Sequence, residues 1–272
     1  MRIRVLGSFE AELNGSSVLP TAGKPRQILA LLVLHSDQVL PVSALMEEIW
    51  MAKPPRSALT TLQTYILQIR RCIDAALGPG SPVGSKDLLL TRHGGYLLRV
   101  DPGSVDVHEY ERLRAQGRQA MEEGEDAVAA RSFRAALGLW RGPALSDVRC
   151  GPLLSVETMH MEESRLGLLE QCIDAELRLG RHAELLAELT ALTALQPLHE
   201  GLHALSMVAY YRAGRPSSAL DVYRRLRTNL VSELGIEPSP RLRRLHQAVL
   251  GGDAVLQGAT AAPVLEPTPA GR

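Results

Sequence analysis

Aromatic residues are scarce, at 4% of 272 positions, so a packed interior must be built mainly from Leu, Ala, Val and Ile. The hydrophobic fraction of 45% supplies ample material for one. The three cysteines, Cys72, Cys150 and Cys172, are odd in number and lack CxxC spacing, which excludes a disulfide framework and a cysteine zinc knuckle. The longest apolar run, Ile28 to Leu34, falls far short of the roughly 20 residues that span a bilayer. No segment resembles a signal peptide, because the N-terminus runs directly into an alternating pattern. These absences predict a soluble protein of a reducing compartment, cytoplasmic and without a membrane partner. Catalytic machinery is missing as well. There is no G-x-S-x-G elbow, no Rossmann fingerprint and no paired-cysteine site, so the expectation is a non-enzyme needing no cofactor and no metal.

The formal net charge of zero hides an asymmetry. Residues 1–100 hold 11 Lys+Arg against 7 Asp+Glu, a net of +4, which leaves 19 against 23, a net of −4, for the remaining 172. A basic front and an acidic back suit a nucleic-acid reader joined to a protein-facing module.

Ile3, Val5, Phe9, Ala11 and Leu13 sit at near-alternate positions, as in strands, and Asn14-Gly15 is a tight-hairpin dipeptide. Helical texture follows over Pro25 to His35, Pro41 to Trp50 and Arg56 to Leu77. The breaker cluster Gly78-Pro79-Gly80-Ser81-Pro82 ends the third helix. Leu88 to Thr91, then Arg92 to Gly95, then Tyr96 to Arg99 read as strand, turn, strand. A small sheet, three helices and a hairpin make an α+β winged helix-turn-helix over residues 1–103. Beyond Pro102-Gly103 the pattern is helical from about Val107 to Leu250. Leu179-Gly180-Arg181 and Ala213-Gly214-Arg215 are offset by 34 residues, the period of tetratricopeptide-type hairpins. Glu123-Gly124-Glu125 lies outside that register, so an irregular all-α tetratricopeptide-like domain is expected over 104–250. The Ala/Gly/Pro-rich stretch 251–272 cannot bury enough apolar area to fold and is expected to be a disordered tail.

On the third helix Leu59, Leu62, Ile66, Ile69 and Ile73 form one apolar stripe by their 3, 4, 3, 4 spacing. The opposite face carries Thr60, Thr61, Thr64, Gln68 and Arg71, with Tyr65 flanking it. Gln pairs with adenine, Arg with guanine, and a Thr methyl packs on the thymine methyl. No Asp or Glu occurs between Glu48 and Asp74, whereas Lys53, Arg56, Arg70 and Arg71 do. A helix entering a groove walled by phosphates needs that freedom from carboxylates. The competing reading is an ordinary amphipathic helix with a solvated face, although such faces usually mix Glu with Lys. Arg92-His93-Gly94-Gly95-Tyr96 places a cation at a hairpin tip, either for DNA backbone or minor groove or as a plain surface turn. Lys24 and Arg26, opening the first helix, either touch phosphate or are simply exposed.

Two motifs are weaker than they look. His199-Glu200-Gly201-Leu202-His203 fits the H-E-x-x-H pattern of zinc peptidases, but Gly201 weakens the helix and no third-ligand extension follows. The glycines of 78–84 fail the P-loop test, because Ser85 stands where the motif demands Lys.

Through Gly23-Lys24-Pro25-Arg26-Gln27, Leu45-Met46-Glu47-Glu48-Ile49-Trp50, Ala58 to Ile66 and Gly94-Gly95-Tyr96, the sequence bears a resemblance to the Streptomyces antibiotic regulatory protein family of pathway activators. In the second half the resemblance rests on Ala213-Gly214-Arg215, Ala219-Leu220 and Glu233 to Pro240. It implies an OmpR-type winged helix and a bacterial transcriptional activation domain. It also implies binding of double-stranded promoter DNA, at direct repeats near the −35 region, by side-by-side protomers of a homodimer. Recruitment of RNA polymerase through its sigma and alpha subunits, at the nucleoid, would then switch on an antibiotic gene cluster. No receiver domain and no ATPase module accompany these motifs, so the chain reads as a small pathway-specific member or as the N-terminal part of a larger regulator. Two rival readings are a repeat scaffold whose winged helix binds protein, and a metallopeptidase.

Overall fold

The computed structural model describes residues 1–51, 53–253 and 256. It divides into two compact units, one formed by residues 1–115 with 135–166 and the other by 116–134 with 167–272.

In the first unit, β1 (Arg2–Arg4), β2 (Glu10–Leu13) and β3 (Ser16–Ser17) make an antiparallel sheet in that order. Asn14 and Gly15, at φ 53° and 79°, form the tight turn between β2 and β3 that their sequence predicts. Three helices follow: α1 (Gly23–Leu34), α2 (Val42–Trp50) and α3 (Ala58–Leu77). Every α1 residue from Gln27 to Val33 is buried, the behaviour of a helix apolar nearly all round. The short α4 (Ser85–Leu88) leads into β5 (Leu89–Arg92), and β6 (Gly95–Leu98) returns from it. A two-residue strand, β4 (Leu40–Pro41), pairs with the other edge of β6, giving the order β4-β6-β5. This is the winged helix-turn-helix expected from the pattern. Neither β4 nor α4 was legible, because elements of two and four residues carry no period.

The expectation of helical texture throughout Val107 to Leu250 needs one correction. A 3-10 turn (Pro102–Ser104) precedes α5 (Asp106–Glu122), α6 (Asp126–Leu137) and α7 (Pro152–Arg178), but residues 138–151 are irregular. Their backbone is taken up by the N-terminal segment: Arg141 N–H donates to the Leu6 carbonyl, and Leu145 N–H to that of Val5. Carboxylates fasten the same region. Asp106 accepts the N–H groups of Val5 and Leu6 at 2.8 and 3.2 Å, and Asp147 accepts that of Phe9 at 2.7 Å. Glu48, 1% exposed, accepts the N–H groups of Gly151, Leu153 and Leu154 at the start of α7. It thereby satisfies donors that a helix start leaves orphaned. Tyr110 and Trp140 meet edge to face at 5.7 Å, with the Arg165 guanidinium over the indole.

In the second unit, α6 packs on α7 and α8 (His182–Leu195), joined by an Arg134 guanidinium that binds both Glu176 and Glu188. Then come α9 (Glu200–Arg212), α10 (Pro216–Leu234) and α11 (Pro240–Gly251), each packed on its predecessor. Gly180 and Gly214, at φ 80° and 72°, end their helices in the left-handed conformation that glycine adopts without cost. Arg181 N–H reaches back to the Glu176 carbonyl, and Arg215 N–H to that of Tyr210. The 34-residue offset is thus a repeated helix stop. The out-of-register turn at Gly124 uses the same closure, with Glu125 N–H donating to the Ala120 carbonyl. Of the tail expected from residue 251, positions 254–255 and 257–272 lie outside the described residues. Gly251 ends α11, and Leu256 is buried, its carbonyl accepting from Arg212 Nε.

Candidate nucleic-acid interface

The helix that sequence selects for reading, α3, is seated by Ala58, Leu62, Ile66, Ile69, Ile73 and Ala76, all buried. Leu59, expected on this stripe, is instead 51% exposed. It lies at the stripe's margin, and the smaller Ala58 faces the core in its place. The outward face presents Thr60, Thr64 and Arg71 as exposed side chains, with Thr61, Tyr65 and Gln68 half-buried along one border. Gln63 and the 47%-exposed Leu67 border the other side and were not selected from sequence. The Thr64 hydroxyl donates to the Thr60 carbonyl at 3.0 Å, which leaves its methyl as the group the face presents.

Two further arrangements were invisible in the sequence. Arg70, at the edge of the buried stripe, donates Nε and Nη2 to the Leu89 carbonyl, and Nη2 also to Thr91 Oγ1 at 2.9 Å. The guanidinium thereby pins β5 of the wing to α3. At the other end of the link, the Asp74 carboxylate accepts both the N–H and the hydroxyl of Ser85, at 2.9 and 2.7 Å. Those hydrogen bonds hold the Asp74 carboxyl below the ordinary carboxylate range. The second arrangement is an aromatic platform. Trp50 stacks on Tyr65 at 6.3 Å, and Lys24 Nζ lies 5.2 Å from the Trp50 ring centroid. Lys24 is exposed and held in place over the indole.

Arg92 and His93 are exposed at the wing tip, where Gly94, at φ 73°, makes the turn. Gly95 does allow a close backbone approach, but the neighbour is internal: an added Cβ would sit 2.2 Å from the Leu40 carbonyl oxygen of β4. Arg26 stands apart from the other selected residues. Its Nη2 donates to the Phe9 carbonyl at 3.0 Å and pairs with Asp147, so the guanidinium is committed within the unit.

The H-E-x-x-H residues are each occupied otherwise. His199 is the N-cap of α9, its Nδ1 accepting from Leu202 N–H at 3.3 Å, and Glu200 accepts from Ser239 N–H. His203 is 4% exposed, with Nδ1 3.0 Å from the His199 carbonyl. Among the described residues no three His, Cys, Asp or Glu side chains come together in a group that could hold a metal. Among them, too, no helix is long and apolar enough to cross a membrane.

Comparison with known families matches residues 17–98 to the transcriptional regulatory protein C-terminal family and residues 105–250 to the bacterial transcriptional activator domain. Regulatory protein DnrI of Streptomyces peucetius is 53% identical over 253 residues, covering 93% of this chain and 93% of DnrI. The chain belongs to the Streptomyces antibiotic regulatory protein family of transcriptional activators. Regulatory protein AfsR of Streptomyces griseus is 37% identical over 99% of this chain, which spans only 26% of AfsR. A solved structure, Mycobacterium tuberculosis EmbR in complex with a low affinity phosphopeptide, superposes with a TM-score of 0.85 at 30% identity. That match covers 92% of this chain and 65% of the EmbR chain. The winged helix followed by a helical domain is therefore the architecture shared with these regulators. The two family matches meet near residue 100, whereas the compact units divide within α5, α6 and α7.

Proposed function

We propose that this family member reads promoter DNA through α3 and the wing. The observation that carries this reading is the outward face of α3, which offers Thr60, Thr64 and Arg71 with no carboxylate between Glu48 and Asp74. In the major groove, Thr60, Thr64, Gln68 and Arg71 meet base edges, while Thr61 and Tyr65 flank them. Arg92 anchors the wing on the backbone or in the minor groove, and Lys24, held over Trp50, meets phosphate. Arg26, committed to Asp147, supports the start of α1 and is left out of the interface.

The remainder of the mechanism follows the family. Protomers lie side by side on direct repeats near the −35 region at the nucleoid. The helical domain, residues 104–250, then engages RNA polymerase through its sigma and alpha subunits and turns on an antibiotic gene cluster. The test is a footprint of the protein on its neighbouring promoters across a salt series. A protected pair of direct repeats, with affinity falling steeply as salt rises, is the expected result. A protein that protects nothing at low salt but captures a protein partner would replace this reading with the scaffold.

A further inference from the structure

The acidic character of the second half is not spread evenly. Residues 210–250 hold eight Arg against three Asp+Glu, whereas residues 119–130 hold four Asp+Glu and no Lys or Arg. Both stretches include faces of the second unit. Its helices pack in chain order, so the C-terminal part of α5 (residues 116–122) with α6 stands at the beginning of the stack and α11 at its end. In such quasi-one-dimensional stacks the terminal helices have an outer face with no neighbour.

At the end, the outer face of α11 is an open groove lined by Arg243, Arg244 and Gln247, with Asp253 at its far end. The 56%-exposed Leu250 falls beside Arg243 and Gln247 on the helical wheel. Arg243 and Arg244 are exposed and make no ion pair within 4.0 Å among the described residues. The nearby Glu237 is already bound by Arg227. At the beginning, the turn between α5 and α6 presents Glu122, Glu123 and Glu125, all exposed. Glu123 accepts from Gln119, and Asp126 lies 3.9 Å from Arg178.

We infer that the basic groove of α11 docks the acidic α5–α6 turn of a second copy of this chain. The inference rests on the proposed binding to direct repeats. Two protomers on a direct repeat are related by translation along the DNA, so they cannot use one patch against itself. Their contact must be heterologous, joining two different and complementary surfaces. One chain carries such a pair here. A phosphate backbone fits the groove less well, because the exposed Leu250 has nothing apolar to meet on it.

The experiment uses the full chain on the promoter fragment that the footprint identifies, intact and with one repeat scrambled. One variant carries Arg243→Glu with Arg244→Glu, another Glu122→Lys, Glu123→Lys and Glu125→Lys, and a third carries all five changes. Each of the first two should keep the one-site affinity and lose roughly tenfold of the two-site advantage, the size of an ordinary inter-site coupling. The five-fold variant, with both signs exchanged, should recover it. Two results overturn the inference: a two-site advantage unchanged in both variants, or a one-site affinity that falls with the arginine changes alone, which marks a phosphate contact. If no form binds the promoter, the DNA reading fails, and sedimentation velocity at low salt decides the self-contact separately. There the wild type and five-fold variant should associate and the other two should not, and equal behaviour of all four would refute it.

Discussion

The Arg70 guanidinium donates two hydrogen bonds to the Leu89 carbonyl, at 3.2 and 2.8 Å, joining the reading helix to the first strand of the wing. Charge-assisted bonds of this kind contribute about 1.5–3 kcal/mol each where solvent is excluded, and less at a half-exposed position. Arg70→Ala should therefore cost about 1–2 kcal/mol of stability in urea melts. It should also weaken DNA binding at every sequence alike, because the wing loses its fixed place while the reading face stays intact. A change in base preference would place Arg70 among the reading residues instead.

Arg71 and Arg92 should separate in the same assay. If Arg71 makes a bidentate contact with guanine, Arg71→Ala relaxes selectivity at one base pair by about 1–3 kcal/mol. Arg92→Ala should lower affinity evenly and reduce the salt slope by about one. Competition binding against single-base variants of the footprinted site distinguishes them, and unaltered site preference in Arg71→Ala would remove it from the reading face.

Glu48 is a buried acid on which several backbone donors of the first unit depend. Its carboxylate accepts from Gly151, Leu153 and Leu154 and from Gln27 Nε2, all in a nearly dry environment. Glu48→Ala orphans these donors and should cost about 3 kcal/mol in equilibrium unfolding. By the same logic, a fragment ending at residue 103 loses the partners of Glu48, Val5, Leu6 and Phe9. It should unfold at lower urea than a fragment ending at residue 166.

Acid should loosen the second unit through its histidines. Burial pushes the His203 imidazole below its ordinary pKa, and the Arg225 and His199 charges add to this. His246, stacked on Tyr223, shifts the same way through burial and the Arg224 charge. The unfolded chain takes up these protons first. The stability due to neutral imidazoles is thus present above the ordinary histidine value and lost as pH falls from there through the lowered folded-state value. The melting temperature should drop as pH falls below the ordinary histidine value, and His203→Gln should flatten that slope.

Chelation offers the simplest contrast with the metallopeptidase reading. With His199 capping α9 and His203 buried against its carbonyl, excess EDTA should leave the thermal melt unchanged. A lower melting temperature together with stoichiometric zinc would reopen that reading.

Periodicity and turn chemistry determined much of this protein. The stripe from Leu62 to Ile73, the Asn14-Gly15 turn and the helix stops at Gly180 and Gly214 are local features, and local rules found them. The outward residues of α3 followed from that same stripe, since a helix that buries one face must present the other. Only the tertiary structure decided what depends on residues far apart in the chain. Nothing in the sequence distinguishes Asp106, Asp147 or Glu48 from solvated acids, yet each binds backbone more than 100 residues away. Residues 138–151 lose their expected helix because the backbone of residues 5–9 offers them hydrogen bonds instead. Arg26 and Arg70 are equally plausible phosphate contacts on paper. Their fates were set by where Asp147 and Leu89 lie in space, because a guanidinium binds whichever acceptor the fold brings within about 3 Å.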